Sequence, residues 1–177
     1  MDTVKRTKVN SATRDMVLSA LLISFVFIAT KFINVRLPIS INGGLIHFGN
    51  VMLFAAAIVF GPRKGAVAGA FGMGLFDIVS GWAAWAPFTF IIRGVMGYII
   101  GYTANSNNRN GNSLLWNLAG ILIAGVWMLA GYYVAEIIIT GNYIAPVTSI
   151  PGNLIQIAFG ALIGLPLAKA LKKTNIF

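Results

Sequence analysis

The sequence predicts an all-α integral membrane protein with six transmembrane helices. Of its 177 residues, 58% are hydrophobic and only 10% are charged, and the apolar residues fall into six separate runs. Soluble domains carry about a quarter charged residues, and the core of a soluble domain of this length cannot absorb so much apolar surface. A bilayer accepts it, because lipid surrounds the outward faces of the helices. The length fits a single domain over residues 1–177.

The first three predicted helices are separated by turn-rich segments. Residues 15–33 form an apolar run that is too long for the core of a signal peptide and lacks a convincing small-residue cleavage site, so we interpret it as a span. Residues 47–60 form a short second helix, which ends at the basic turn 61–65. Residues 66–80, rich in glycine and alanine, form the third.

The last three helices follow a tryptophan-rich loop at 81–87. A fourth helix covers about 88–103 and ends at an asparagine-rich polar stretch, and a long fifth helix covers about 113–140. The sixth, over about 151–171, is predicted to begin at Pro151, because proline suits the first turn of a helix.

Basic residues concentrate on one side of this predicted topology. Six spans place the N terminus, the turn after the second helix, the loop after the fourth and the C terminus on the same side. Ten Lys and Arg residues lie there: Lys5, Arg6, Lys8, Arg14, Arg63, Lys64, Arg109, Lys169, Lys172 and Lys173. The opposite side has only Lys31 and Arg36. Because positive loops stay in the cytoplasm, both termini are predicted to be cytoplasmic, in the plasma membrane of a prokaryote. The net charge of +9 then reflects topology and not nucleic-acid binding.

Motifs for catalysis are missing from the sequence. It has no cysteine and one histidine, and it has neither a phosphate-binding glycine-rich lysine loop nor a zinc-protease or serine-hydrolase signature. We therefore predict no catalytic residue, no metal site and no cofactor. Without such a loop, the chain is not expected to hydrolyse ATP alone.

Polar side chains within the spans fall at one depth, near the predicted outer ends of helices 2 to 6. This depth follows from the helical rise of about 1.5 Å per residue. Polar groups are unfavourable in lipid, so they usually face a cavity or a partner. Small-molecule sites combine apolar or aromatic walls with a few polar groups, and aromatic residues lie near this layer. The predicted substrate-binding residues are His47, Asn50, Asp77, Trp82, Trp85, Arg93, Tyr133, Glu136, Asn153 and Gln156.

Structural alternatives remain open for several of these residues. Asp77 and Arg93 lie at matching depth and are expected to pair, and that pair would serve equally well to orient the bundle. Glu136 would reach the interface by snorkelling, and His47 would serve as a helix cap. The tryptophans would form an interfacial aromatic belt. Residues 34–46 are a plausible outer lid.

Small residues recur at four-residue spacing on several predicted helices, which lets helices approach closely in lipid. Most of these stripes are expected to pack inside the bundle, whereas a stripe facing lipid would be a docking surface. The positions are Ala20 and Ser24, Gly65 and Gly69, Gly97 and Gly101, and Gly160 and Gly164.

Five motifs occur in a fixed order along the chain. They are NGGLIHFGN at 42–50, FGPRKG at 60–65, GMGLFD at 72–77, WAPFT at 85–89 and IIRG at 91–94. Together they resemble the substrate-binding S components of energy-coupling factor (ECF) vitamin transporters. The likeness covers essentially the whole chain and is nearest to the branch with the hydroxymethylpyrimidine, pyridoxine and riboflavin S components.

The resemblance implies a six-helix S-component fold that holds a vitamin near the outer face. It implies three partners, namely a transmembrane coupling protein and two ATPases, and an S component that topples in the membrane to release its cargo. Such families often carry an Ala-x-x-x-Ala stripe on helix 1 that contacts the coupling protein. The matching positions here are Ala20 and Ser24, so serine departs from the pattern.

Several functions are compatible with this sequence. Our first choice of cargo is hydroxymethylpyrimidine, followed by pyridoxine, because the polar candidates suit a small hydroxylated pyrimidine or pyridine. A riboflavin-specific S component is the alternative within the family. Outside it, the main alternative is a stand-alone secondary transporter, although such proteins often show internal repeats and none is visible here. An intramembrane enzyme with an Asp-Arg-Glu site is a further alternative.

Overall fold

The computed structural model describes residues 11–37 and 44–174, with six α-helices and one two-stranded antiparallel sheet in these ranges. The six-helix prediction is confirmed, while the short hairpin was not predicted. The elements are α1 (Ser11–Phe32), β1 (Asn34–Leu37), β2 (Gly44–His47), α2 (Gly49–Phe60), α3 (Pro62–Val79), α4 (Ala86–Asn105), α5 (Leu114–Thr140) and α6 (Ala145–Lys173).

Two sequence predictions concern residues outside the described ranges. One is the N-terminal basic cluster of Lys5, Arg6 and Lys8, and the other is the middle of the predicted lid, 38–43. The flanks of that lid are β1 and β2, whose pairing places Asn34 opposite His47.

Hydropathy identifies three of the described helices as long and apolar enough to cross a membrane: α1, α5 and α6. Only 22%, 33% and 28% of the residues in their most apolar stretches are buried inside the bundle. Their apolar side chains therefore face outward, as lipid contact requires. Helix α2 is apolar but only 12 residues long, and its side chains form much of the core, with Leu53 and Phe54 fully buried.

Glycines bring α3 and α4 into close contact. A Cβ on Gly97 would lie 2.2 Å from the carbonyl oxygen of Gly65, and one on Gly69 would lie 2.6 Å from the carbonyl oxygen of Arg93. A Cβ on Gly101 would likewise lie 2.6 Å from the backbone of Pro62. The spacing of small residues in both helices therefore serves internal packing, as predicted, and it holds Arg93 against α3.

Glycines also allow close packing of α6 against α2. A Cβ on Gly160 would lie 2.8 Å from Cβ of Asn50 and 2.8 Å from the ring of Phe54, and one on Gly164 would lie 3.1 Å from the carbonyl oxygen of Val51. Close packing of these two helices brings the polar residues of α6 next to those of α2.

Four predicted helix starts were wrong. Helix α1 begins at Ser11 and α3 at Pro62, each four residues earlier than predicted, so most of the predicted basic turn 61–65 lies in the first turn of α3. Helix α2 begins at Gly49, because His47 belongs to the hairpin. Helix α6 begins at Ala145, six residues before Pro151, and Pro146 occupies its first turn. The side chain of Asn142 stabilises this earlier start, since its Oδ1 accepts hydrogen bonds from the amides of Ile144 (2.7 Å) and Ala145 (3.3 Å).

Candidate functional site

A cavity of about 130 Å³ lies at one end of the bundle, where α1, α3 and α5 end and α2, α4 and α6 begin. It offers roughly ten times the space that a single water molecule needs. Every helix except α2 contributes to its wall, and β2 contributes as well. The lining residues are Thr30, Leu45, His47, Met73, Phe76, Asp77, Trp82, Trp85, Thr89, Arg93, Tyr132, Glu136, Ser149, Asn153 and Gln156.

Arg93 is the buried cation at the centre of this site, with 3% of its surface exposed. Its Nη1 donates to Oδ1 of Asn50 (2.7 Å) and to the sulfur of Met128 (3.2 Å). Its Nη2 donates to Oε1 of Gln156 (3.1 Å) and its Nε to Oη of Tyr132 (3.1 Å). The guanidinium has five N–H donors, so one Nη2 hydrogen has no partner among the described residues.

The predicted ion pair between Asp77 and Arg93 is not formed in the described structure. Neutral oxygen and sulfur atoms take the hydrogen bonds of Arg93 instead. Asp77 is half-buried on the cavity wall and interacts with the hydroxyl of Thr89. The helices place the two charges at similar depth, but their rotations give each a different set of contacts.

Glu136 is the second carboxylate of the cavity, and only 2% of its surface is exposed. Its Oε1 accepts a hydrogen bond from the hydroxyl of Ser149 at 3.2 Å. Because the side chain is buried inside the bundle, it does not snorkel to the interface. The two carboxylates and Arg93 therefore line the same cavity.

Gln156 connects three parts of the site. Its side chain accepts from Arg93 and donates to the carbonyl oxygen of Leu45 in β2, while its own carbonyl oxygen accepts a hydrogen bond from Asn50 at 3.3 Å. These contacts hold the hairpin, α2, α4 and α6 in fixed relation.

His47 closes the site from the hairpin and is 6% exposed. Its Nδ1 has no hydrogen-bond partner within the described residues. Burial, assisted by the charge of Arg93, lowers the pKa of His47 from 6.5 to about 3, so the imidazole is neutral at physiological pH. Gly49 makes this arrangement possible: a Cβ there would lie 2.2 Å from Oγ1 of Thr30 and 2.7 Å from Nδ1 of His47.

Aromatic rings form one wall of the cavity. The rings of Trp85 and Tyr132 lie 6.3 Å apart at an interplanar angle of 45°. The guanidinium carbon of Arg93 lies 5.1 Å from the centre of the Tyr132 ring, within cation–π range. Trp82, from the loop before α4, also lines the cavity.

The structure brings eight of the ten predicted residues to the cavity wall: His47, Asp77, Trp82, Trp85, Arg93, Glu136, Asn153 and Gln156. Asn50 is fully buried and contacts Arg93. Tyr133 is not among the lining residues; its hydroxyl donates to the carbonyl oxygen of Tyr143 at 3.3 Å. The adjacent Tyr132 lines the cavity instead, since neighbours on a helix are rotated by about 100°.

Six further lining residues were not singled out from the sequence, besides Tyr132. They are Thr30, Leu45, Met73, Phe76, Thr89 and Ser149. Three of these were detectable through spacing: Met73 lies four residues before Asp77, Thr89 lies four before Arg93, and Ser149 lies four before Asn153, so each pair shares a helix face. Phe76 has no such signal.

The predicted docking positions lie on the outer face of α1. Ala20 and Ser24 are both exposed, and the hydroxyl of Ser24 donates to the carbonyl oxygen of Ala20 at 2.9 Å. Because this hydrogen bond stays within the helix, Ser24 presents a small, internally satisfied surface.

A family model for the "ECF-type riboflavin transporter, S component" matches residues 10–173. The chain belongs to this family. S components are non-catalytic substrate-binding subunits of multi-pass membrane transporters, and they bind no cofactor.

Individual proteins and structures show the same likeness. An uncharacterised protein of Pyrococcus woesei is 36% identical over 89 residues, which cover 50% of this chain and 60% of that protein. The thiamine precursor transporter HmpT of Lactococcus lactis subsp. cremoris is 28% identical over 94 residues, covering 53% and 56%. These matches span less than two thirds of either relative.

A solved structure, described as the S component of a bacterial ECF transporter, superposes with a TM-score of 0.69 at 19% identity. The superposition covers 94% of this chain and 100% of the chain in that structure. At this identity the likeness concerns the fold.

Proposed function

We propose that this chain is the substrate-binding subunit of an ECF-type importer and captures a small, flat heteroaromatic vitamin or vitamin precursor. The supporting observation is a single cavity that combines Arg93, two carboxylates and an aromatic wall. Our first choice of cargo is hydroxymethylpyrimidine, followed by pyridoxine. Neither choice depends on a catalytic residue, and the chain itself binds no ATP.

The polar side chains of the cavity match the hydrogen-bonding groups of such a ring. Asp77 and Glu136 accept hydrogen bonds when ionised, so they suit ring amino and hydroxymethyl groups. The remaining Nη2 hydrogen of Arg93 suits a ring nitrogen or oxygen acceptor. An aminopyrimidine with a hydroxymethyl substituent offers both donors and acceptors in one plane.

The aromatic groups match its flat shape. Trp85 and Tyr132 already lie in ring contact beside Arg93, and Trp82 lies in the adjoining loop. Stacked or edge-on aromatic contacts are worth about 0.5–1.5 kcal/mol beyond area burial. Such a wall favours planar ligands but does not distinguish their substituents. The carboxylates and Arg93 would distinguish the substituents through hydrogen bonds.

The relatives support two cargo choices. HmpT is named as a thiamine precursor transporter, which favours hydroxymethylpyrimidine. The matching family model names riboflavin, which makes riboflavin the second candidate. Its ring system is also flat and carries both donors and acceptors.

We further propose the partners and the orientation. A transmembrane coupling protein and two ATPases would supply the energy, with the coupling protein docking on the exposed stripe at Ala20 and Ser24. The bias of basic residues supports an orientation with both termini in the cytoplasm, which would put the cavity at the outer face.

A tryptophan-fluorescence titration of the detergent-purified chain tests the cargo. Hydroxymethylpyrimidine, pyridoxine, riboflavin, thiamin and pantothenate are added separately. Because Trp82 and Trp85 line the cavity, we expect saturable quenching at submicromolar concentration by one of the first three. No response in folded protein free of carried-over ligand would contradict the proposal and favour a stand-alone secondary transporter.

A further inference from the structure

A second cavity, of about 580 Å³, lies at the opposite end of the bundle, between the start of α5 and the last turns of α6. Among the described residues that line it, none is acidic and three are lysines. The lining residues are Gly111, Asn112, Leu114, Asn117, Leu165, Pro166, Lys169, Lys172 and Lys173.

The charge of this cavity is suited to an anion. Lys169 and Lys173 are exposed, so their ammonium groups are accessible, while Lys172 donates to the carbonyl oxygen of Asn110. The first turn of α5 adds its positive end, because Ser113 makes no side-chain capping hydrogen bond to the amides there. Lysines and a helix start together form a site for a phosphate group.

Asn117 provides an independent indication of a ligand. Its side chain is 6% exposed, and its Nδ2 donates to the carbonyl oxygen of Gly111 at 2.9 Å. Its Oδ1 accepts no hydrogen bond within the described part of the chain. A buried acceptor is expected to have a donor, and none of the described residues, including the three lysines, supplies one at this position. A ligand hydroxyl would.

The surroundings of the cavity are apolar. Leu114 and Leu115, in the first turn of α5, are 62% and 73% exposed, and Leu162 of α6 is 74% exposed. Leu165 and Pro166 continue this surface into the cavity wall. In a membrane protein such side chains face acyl chains, so the anion here carries a hydrophobic tail.

We propose that this cavity binds an anionic glycerophospholipid whose headgroup carries hydroxyl groups, as phosphatidylglycerol does. The phosphate lies against Lys169, Lys173 and the start of α5, and a headgroup hydroxyl donates to Oδ1 of Asn117. The acyl chains follow the apolar surfaces of α5 and α6. Basic pockets between helices are suited to such headgroups, and this lipid would hold the lysine-rich end at the membrane surface.

The test compares two double variants of the full-length chain in detergent. Lys169→Gln with Lys173→Gln removes two cavity charges, and Arg14→Gln with Arg63→Gln removes two exposed charges from the same end outside the cavity. Lipid retained after adding phosphatidylglycerol is counted by native mass spectrometry. We expect at least a fivefold loss of retention in the lysine variant and less than a twofold loss in the arginine variant. Equal losses in both would overturn the proposal.

Two further comparisons test the headgroup and the tail. The wild-type chain should retain phosphatidylglycerol better than phosphatidic acid, which has no alcohol hydroxyl in its headgroup, and Asn117→Leu should abolish that preference. Thermal stabilisation by glycerol 3-phosphate equal to that by phosphatidylglycerol would identify a soluble-anion site and overturn the lipid assignment. Equal retention of phosphatidylcholine would overturn it as non-specific binding.

Discussion

Arg93 is the central residue of the candidate site. Within the described residues its guanidinium forms no ion pair, and its burial is tolerated because five neutral side chains accept its hydrogen bonds: Asn50, Met96, Met128, Tyr132 and Gln156. The sequence predicted its depth, since depth follows from counting residues along a helix. It did not predict its partners, because those depend on helix rotation. The same limitation explains why Tyr133 was chosen in place of Tyr132.

We expect Glu136→Gln to weaken vitamin binding at least tenfold. The variant keeps the shape of the side chain but replaces a charged acceptor with a neutral amide, and a tenfold loss corresponds to about 1.4 kcal/mol. Isothermal titration measures the affinity. Asp15→Asn is the matched control, since Asp15 is an exposed acid paired with Lys64 away from the cavity. Unchanged affinity in Glu136→Gln would remove this residue from the site.

Arg93→Ala is expected to weaken vitamin binding at least tenfold and also to lower the melting temperature. The variant leaves buried Asn50 and Gln156 without their charged donor. Binding and thermal unfolding are measured on the same preparation. A variant with wild-type affinity would exclude Arg93 from ligand contact.

Acid should destabilise the protein partly through His47. Its pKa is 6.5 when exposed and about 3 in the fold, so below pH 6.5 the unfolded chain binds a proton that the folded chain excludes. The stabilisation is complete above pH 6.5 and is lost as the pH falls toward 3. Melting temperatures between pH 7.5 and 4.5 should fall more steeply for wild type than for His47→Asn. Parallel curves would contradict this account of His47.

At the scale of elements, the sequence predicted the helices better than their ends. Long apolar runs separated by glycine, proline and polar residues define spans directly. The start of α6 was misplaced because Pro151 resembled a first-turn proline, whereas Asn142 and Pro146 determine the observed start. The hairpin was missed because the four-residue strands of β1 and β2 are too short to give a period-2 pattern.

Close packing of α3 on α4 should make Gly97→Ala destabilising. The added methyl group would lie 2.2 Å from a backbone oxygen of Gly65, so the helices must separate, at a cost of about 1–3 kcal/mol. Gly94→Ala is the control, because its methyl group would meet the Cβ of Ala70 at 3.3 Å and the carbonyl oxygen of Ala66 at 3.8 Å, with no closer contact. We expect thermal unfolding to show a clear loss for Gly97→Ala and little change for Gly94→Ala. The reverse order would contradict the packing described.

At the scale of the whole molecule, the exposed stripe on α1 should matter for assembly and not for binding. Ala20→Leu combined with Ser24→Leu enlarges both side chains on the outer face, far along α1 from the cavity. We expect co-purification of the coupling protein and ATPases to be lost while vitamin affinity is retained. A matched change at exposed Leu21→Phe should leave assembly intact. Assembly that survives the double variant would place docking elsewhere.

The membrane orientation is a further prediction, and it rests on the distribution of basic residues. Both termini are expected in the cytoplasm. A reporter protein that works only in the cytoplasm should therefore be active when it is fused to the C terminus. Activity only of a periplasmic or extracellular reporter would contradict the orientation and place the cavity on the inner side.

Equilibrium dialysis of the purified chain against labelled hydroxymethylpyrimidine, with and without excess unlabelled pyridoxine or riboflavin, tests the central claim most directly. The account predicts saturable binding of one vitamin molecule per chain, at submicromolar concentration, that Glu136→Gln weakens and Asp15→Asn does not. If riboflavin or pyridoxine proves to be the tighter competitor, the cargo changes and the capture site stands. Folded protein that binds none of the three saturably would contradict the account.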